Sequence, residues 1–165
     1  MKKIGLISDT HGWLDDAIFK HFQDCDEIWH AGDIGTMEVL DSLEAFKPTR
    51  AVFGNIDDTP IRSRTVENLR WHCEGVDVWI THIGGKPGNY SNLVRQELKT
   101  NPPKLFICGH SHLCLVQMDK SNSVLYMNPG AAGKQGFHHV RTILRFELHD
   151  SKIQNLEVIE LGKRG

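Results

Sequence analysis

Five times along this chain a short apolar run breaks off into a tight cluster of glycine, aspartate, asparagine or histidine. Residues 4–7 lead to Asp9-Thr10-His11, and Ile28-Trp29 leads to Gly32-Asp33. Residues 51–53 lead to Gly54-Asn55, residues 76–80 to Thr81-His82, and residues 105–108 to Gly109-His110-Ser111-His112. Runs this short and this apolar fit strands covered on both faces. Between the first three, Leu14, Ala17, Ile18 and Phe22 recur at helical spacing, as do Met37, Leu40, Leu43 and Phe46 before Pro48. Strands over residues 3–7, 27–31 and 50–53, alternating with those helices, predict a parallel sheet covered by helices. In such sheets ligands collect outside the carboxyl ends of the strands. All five clusters are therefore expected on one rim.

The second half is richer in strands. Residues 65–73 and 76–81 read as extended, with a turn at Glu74-Gly75. Leu93, Val94 and Leu98 share a face of a predicted helix over residues 89–99, which Asn101-Pro102-Pro103 ends. Residues 104–108 form the next strand, and 113–118 with 124–127 a hairpin. Leu144, Phe146 and Leu148 alternate with Arg145, Glu147 and His149, the pattern of a half-buried antiparallel strand. A turn at Asp150-Ser151-Lys152 leads to a last strand through Leu161. The sum is a mixed α/β fold with two sheets, read as one domain over residues 1–165.

Charge and length exclude several classes. With 19 Lys+Arg against 21 Asp+Glu, the net charge of −2 offers no bulk attraction for long nucleic acid. No apolar run approaches the ~20 residues of a membrane span. The segment between Lys3 and Asp9 is too short for a signal-peptide core. Cys25, Cys73, Cys108 and Cys114 lack C-x-x-C spacing. These features together predict a cytoplasmic protein without a disulfide framework.

The rim would collect Asp9, His11, Asp33, Asn55, His82, His110 and His112. Imidazole with carboxylate suits transition metals and zinc rather than calcium, and no thiolate is present to form a structural zinc site. Seven donors exceed what one such ion takes and suit two, with one carboxylate shared. Two divalent ions bring four positive charges. Asp9 and Asp33 remove two and a hydroxide a third, so the pocket stays positive and suits a phosphoryl group. Paired ions also lower the pKa of bound water and clamp both the attacking and the leaving oxygen.

Asp9-x-His11, Gly32-Asp33, Gly54-Asn55, His82 and Gly109-His110-Ser111-His112 resemble the signature of the calcineurin-like metallophosphoesterases, and in particular the small phosphodiesterase branch of bacteria and archaea. The resemblance spans residues 9–112. It implies a four-layer αββα sandwich, with two mixed β-sheets flanked by helices. It also implies a dinuclear centre, manganese before nickel, zinc, iron or cobalt, with a metal-bridging hydroxide as in-line nucleophile. In that pattern Asp9, His11, Asp33 and His112 hold one ion. Asp33, Asn55, His82 and His110 hold the other, and Asp33, Asn55, His82 and His110 also serve the reaction. Many relatives carry Gly-Asn-His-Glu/Asp where this chain has Gly54-Asn55-Ile56-Asp57. Ile56 can neither protonate a leaving group nor stabilise charge, which points to a small phosphodiester substrate rather than a monoester.

The family also contains an interaction scaffold, the small subunit of the retromer coat, so a binding module that keeps the fold without the reaction is the alternative. A metal-dependent hydrolase of another bond, such as an amide, is a third reading. Asp57 and Asp58 read as a solvated turn, Cys108 as a buried hydrophobe, and His30 as a non-ligand. His21, His72 and His149 read as exposed. Lys134, His138, His139 and Arg141 lie in or beside a glycine-rich segment read as a mobile loop with exposed histidines, Lys134 and Arg141 being candidate phosphate contacts. Lys86, in the glycine-rich loop after His82, is a candidate substrate contact or lid, and Trp13 a candidate wall of the site. Exposed sheet edges raise a homodimer.

Overall fold

A computed structural model describes residues 1–165. The elements run β1 (Lys2–Ile7), α1 (Asp16–His21), β2 (Glu27–His30), α2 (Met37–Phe46), β3 (Thr49–Ala51), α3 (Thr59–Arg64), β4 (Asn68–Cys73) and β5 (Val76–Thr81). They continue with β6 (Gly85–Lys86), β7 (Asn89–Tyr90), α4 (Asn92–Thr100), β8 (Leu105–Ile107), β9 (Cys114–Asp119), β10 (Val124–Pro129), β11 (Val140–His149) and β12 (Lys152–Lys163).

Two five-stranded mixed sheets form, in the orders β12-β11-β1-β2-β3 and β4-β5-β8-β10-β9. In the first, β1, β2 and β3 are parallel and β11 and β12 join antiparallel. In the second, β5, β8 and β10 are parallel and β4 and β9 are antiparallel edges. The sheets face each other across a core that includes Ile4, Leu6, Trp29, Val78, Ile80, Ile107, Met127, Leu144 and Phe146. Helices α1, α2 and α3 cover the outer face of the first sheet through Ile18, Leu40, Leu43 and Ile61. Helix α4 covers the second through Val94 and Leu98, packed with Trp79, Phe106 and Tyr126. This is the expected αββα arrangement. No helix is long and apolar enough to cross a membrane.

Local chemistry explains the turns. Glu74 and Gly75 both have positive φ, the twist-matched geometry for a two-residue hairpin between β4 and β5. Asp150 and Ser151 do the same between β11 and β12. Asp15 caps α1 and Asp58 caps α3 by accepting backbone N–H groups.

The segments expected to be plainly extended or plainly helical differ in places. Residues 59–64 form α3, which Asp58 starts and Pro60 at the first turn favours; the strand read from residue 65 begins at Asn68. The helix read from residue 89 begins at Asn92, because Asn89-Tyr90 pair with Gly85-Lys86 as a small ribbon. The third strand is Thr49–Ala51, where the register with β2 ends, rather than residues 50–53.

Registers set the rim. Ile7 pairs with His30 and His30 with Ala51, so β1, β2 and β3 end side by side. Ile80 pairs with Ile107, so β5 and β8 do likewise on the facing sheet. The core between the sheets fixes how the two sets of ends meet. Phe146, fully buried and edge-on to Trp29 at 5.7 Å, belongs to that core. Phe146→Ala should cost about 3–5 kcal/mol of stability. Urea unfolding of chelator-treated protein measures this, and a loss under 1 kcal/mol would contradict the assigned core.

Candidate metal centre

The rim is built from backbone in a conformation that L-residues avoid. Asp9 (φ 53°), His11 (φ 46°), Asp33 (φ 54°), His110 (φ 71°) and His112 (φ 65°) all lie in the left-handed region. Each such residue costs about 1–3 kcal/mol and persists only where its surroundings enforce it. Here they do. Asp9 N donates to Gly32 O (2.9 Å), His11 N to Asp33 O (3.1 Å) and Gly12 N to Ile34 O (2.9 Å), joining the loops after β1 and β2. Gly109 N donates to His82 O (3.0 Å), joining the loops after β5 and β8. Ala132 N and Gly133 N, beyond β10, donate to Ser8 O (2.9 Å) and Asp9 O (3.1 Å). Glycine is required where loops touch: a Cβ on Gly54 would collide with the Asp33 carboxylate, and one on Gly109 with Ser8 and Asp9.

Six of the seven expected donors come together in two groups. Asp9, His11 and His112 form one, and Asp33, His82 and His110 the other, each with donor atoms within 4.8 Å of one another. Asp33 Oδ2 lies between them, 3.5 Å from His11 Nε2 and 3.2 Å from His82 Nε2. Asp9 Oδ1 lies 3.1 Å from His112 Nε2, 3.8 Å from His11 Nε2 and 3.9 Å from His82 Nε2. The seventh, Asn55, is exposed and shares with His82 a cleft of about 250 Å³, which Arg62 also lines.

The donor chemistry fits divalent ions. Asp9 Oδ1, His11 Nε2 and His82 Nε2 are buried and lack any hydrogen-bond partner, which is costly in a folded protein. Two ligands each about 2.1 Å from one ion stand about 3.0–3.5 Å apart at right or tetrahedral angles, so most of the spacings above suit shared coordination. The other polar side-chain atoms of His82, Asp9 and Asp33 are occupied. His82 Nδ1 lies 2.7 Å from Ala31 O and must donate to it, which leaves Nε2 bare. Asp9 Oδ2 accepts from the Ser8 hydroxyl (2.6 Å) and His110 N (3.1 Å). Asp33 Oδ1 accepts from Ile56 N (3.2 Å).

Burial alone would raise the Asp9 pKa, but the His11 and His112 rings, His82 and the Ser8 hydroxyl hold it well below the usual carboxylate range. Asp33 is likewise lowered, His82 outweighing burial. In return Asp9 raises His11 against burial, while at His82 burial lowers and the two carboxylates raise, with a net rise. The carboxylates stay ionised, the form that could hold a cation.

Two residues read as solvent-facing are structural supports instead. Asp57, expected in a solvated turn, is buried and accepts from Ile34 N (3.1 Å), Gly35 N (2.8 Å) and Gly54 N (2.8 Å). It ties the Asp33 loop to the Asn55 loop. Its short spacing from Gly54-Asn55 was visible in sequence, but the Ile34 and Gly35 N–H groups lie more than 20 residues away. His138, expected on an exposed loop, is buried against His112, and burial lowers its pKa. Arg141, considered as a phosphate contact, is buried, pairs with Asp15 and donates to the carbonyls of Leu161 and Lys163. Lys134 and Arg141 stack on Trp13. His21 is half-buried rather than exposed, whereas His72 and His149 are exposed. Lys86 is exposed and lines a cleft of about 430 Å³ with His110.

His30 is, as expected, outside the donor groups. Its Nδ1 accepts from Gly32 N (3.1 Å), so Nε2–H donates to the Thr10 hydroxyl (3.0 Å), which donates to Ile34 O (2.8 Å). This chain braces both sides of Asp33.

The family model described as the calcineurin-like phosphoesterase superfamily domain matches residues 1–151. A probable metallophosphoesterase of Methanothermobacter thermautotrophicus is 30% identical over 138 residues, covering 78% of this chain and 76% of that protein. An archaeal phosphodiesterase shares the fold at TM-score 0.73 and 20% identity, covering 95% of this chain and 99% of that one. So does wild-type Vps29 of Entamoeba histolytica complexed with zinc, at TM-score 0.74 and 14% identity, covering 99% of both chains.

Burial pushes the His30 pKa down to about 4. Above pH 6.5 the ring is neutral folded or unfolded and contributes no pH dependence. Between 6.5 and about 4 only the unfolded chain takes the proton, so stability falls with pH by about 1.4 kcal/mol per unit from this group. In chelator-treated protein, urea stability should therefore drop more steeply below pH 6.5 in the wild type than in His30→Gln, by about one proton. Equal slopes would show that His30 is not held neutral.

Proposed function

This chain belongs to the calcineurin-like phosphoesterase superfamily, and from that premise we propose that it is a phosphodiesterase acting at two divalent metal ions. The observation that carries this reading is Asp33 Oδ2, set between two groups of donors whose partnerless atoms face one another. Asp9, His11, Asp33 and His112 would hold one ion, and Asp33, Asn55, His82 and His110 the other. Mn²⁺ is the proposed metal; Ni²⁺, Zn²⁺, Fe and Co²⁺ suit the same donors. Bound there, such a pair would lower the pKa of water toward neutrality and would give the phosphoryl oxygens a positive seat.

The chain's own residues then set the reaction class. Ala31 O fixes the His82 ring so that Nε2 faces the rim. Asp33 and Asp9 remain ionised without a proton to give. Ile56, half exposed beside Asn55, has no ionisable proton. Asp57 is the next acid along, but its oxygens accept three backbone N–H groups and it is buried. None of these four side chains, Asp9, Asp33, Ile56 or Asp57, is thus free to protonate a leaving alkoxide. A singly charged diester is the substrate this arrangement suits. The four cysteines are free thiols, in keeping with the proposed cytoplasmic location.

The likeness to Vps29 supports a second reading, an interaction module that binds metal without turnover. Hydrolysis of bis-p-nitrophenyl phosphate beside p-nitrophenyl phosphate separates the readings. Protein stripped by chelator should be inactive and regain activity with Mn²⁺, faster on the diester, and Asp33→Asn should lose roughly 100-fold or more. Equal or faster monoester turnover would overturn the diester preference. Metal binding with no turnover of either ester would overturn the enzyme reading in favour of the module.

A further inference from the structure

His138 forms a hydrogen-bonded bracket around the first donor group. Its Nε2 lies 2.9 Å from Gly133 O, which can only accept, so Nε2 carries a hydrogen. Its Nδ1 lies 3.3 Å from His112 Nδ1. The His138 ring is 4% exposed, with a carbonyl and an imidazole as its hydrogen-bond partners and no carboxylate bonded to it. Such surroundings keep an imidazole neutral. A neutral His138 with hydrogen on Nε2 has a bare Nδ1, so His112 Nδ1–H is the donor between the rings. His112 Nε2 is then bare, 3.1 Å from the equally bare Asp9 Oδ1.

The bracket closes on itself. Gly133 N donates to Asp9 O (3.1 Å), so the carbonyl that orients His138 hangs from the residue whose carboxylate faces His112. The loop between β10 and β11 is shaped for this contact. A Cβ on Gly136, whose φ is +131°, would collide with His112 Nδ1 and press on His138 Nδ1. The rings of His112 and His138 meet edge to face at 5.1 Å.

We propose that His138 is a positioning residue that selects the Nδ1–H tautomer of His112 and so presents Nε2 as a metal ligand. The proposal rests on the reading that Asp9, His11 and His112 hold an ion. It assigns a role to a residue outside the Asp-x-His to His-x-His pattern, through the pairing His112 Nδ1–H···Nδ1 His138 Nε2–H···O Gly133.

Histidine tautomers are read directly from long-range ¹H–¹⁵N correlation spectra of the metal-free, full-length protein. His112 should appear as the Nδ1–H form in the wild type. It should move toward the Nε2–H form in His138→Phe, which keeps a ring without an acceptor, and stay Nδ1–H in His138→Gln, which restores one. Calorimetric titration with Mn²⁺ alone should show one of two sites weakened roughly 10–100-fold in His138→Phe, with most of the loss recovered in His138→Gln. An unchanged His112 tautomer in His138→Phe, or unchanged affinity at both sites, would overturn the proposal. Should His138→Phe fail to fold, His138→Gln against the wild type decides: loss of the Nδ1–H form there overturns it and retention supports it. Absence of Mn²⁺ binding in the wild type would instead defeat the metal-centre reading, while the metal-free spectra would still report on the bracket.

Discussion

Asp9 is an ionised carboxylate with no exposed surface, and the rim is arranged around making it tolerable. A buried charge costs several kcal/mol unless paired and hydrogen-bonded. One oxygen is satisfied by Ser8 and His110 N. The other faces three imidazoles that do not hydrogen-bond to it. Asp33 repeats the pattern with one oxygen on backbone and one on the rim. Asp57, close by, shows the contrast: both its oxygens are consumed by backbone N–H groups, and it stabilises loops. Three aspartates within one region thus divide between a proposed cation-binding role and scaffolding according to which of their oxygens the backbone has already claimed.

The left-handed backbone at five rim positions follows from the same requirement. A strand leaving the sheet carries its side chains past the rim unless the chain turns back at once. Aspartate and histidine tolerate that turn better than β-branched residues do. The strain is opposed by cross-loop hydrogen bonds and by the close packing that Gly54 and Gly109 permit. A ligand that bound only this folded arrangement would add to its stability by mass action.

The layered fold was legible because periodicity is local. Ile4, Leu6 and Ile28 announce strands, Leu40 and Leu43 a helix, and both sheets and their covering helices emerged where expected. The six residues that cluster at the rim were legible for the same reason, each standing just beyond a strand end. What the sequence did not reveal was long-range. Asp57 read as a turn because its acceptor role depends on Ile34 and Gly35 of another loop. His138 read as an exposed loop residue because its burial depends on β11 drawing the glycine-rich segment back over β1, with Ala132 and Gly133 bonded to Ser8 and Asp9. Asp58 read as part of the same turn as Asp57, although it caps helix α3. Composition describes what a loop contains, whereas burial depends on what the loop is laid upon.

The two donor groups differ in exposure, and that asymmetry bears on substrate shape. Asp9 is buried and His11 and His112 are half-buried in the first group, whereas Asp33 and His82 of the second are both buried. In the second, His110 is exposed, and so is Asn55 beside it in the proposed ligand set. Clefts flank this open side. One, about 250 Å³, is lined by Asn55, His82 and Arg62; the other, about 430 Å³, by His110, Lys86, Leu113, Leu115 and Tyr126. An ester approaching the open group meets a smaller polar cleft on one hand and a larger, more apolar one on the other. A monoester has one organic arm to place, whereas a diester has two. The paired clefts and the missing proton donor at Ile56 are independent features of this chain, one of shape and one of chemistry, and both bear on the proposed diester preference.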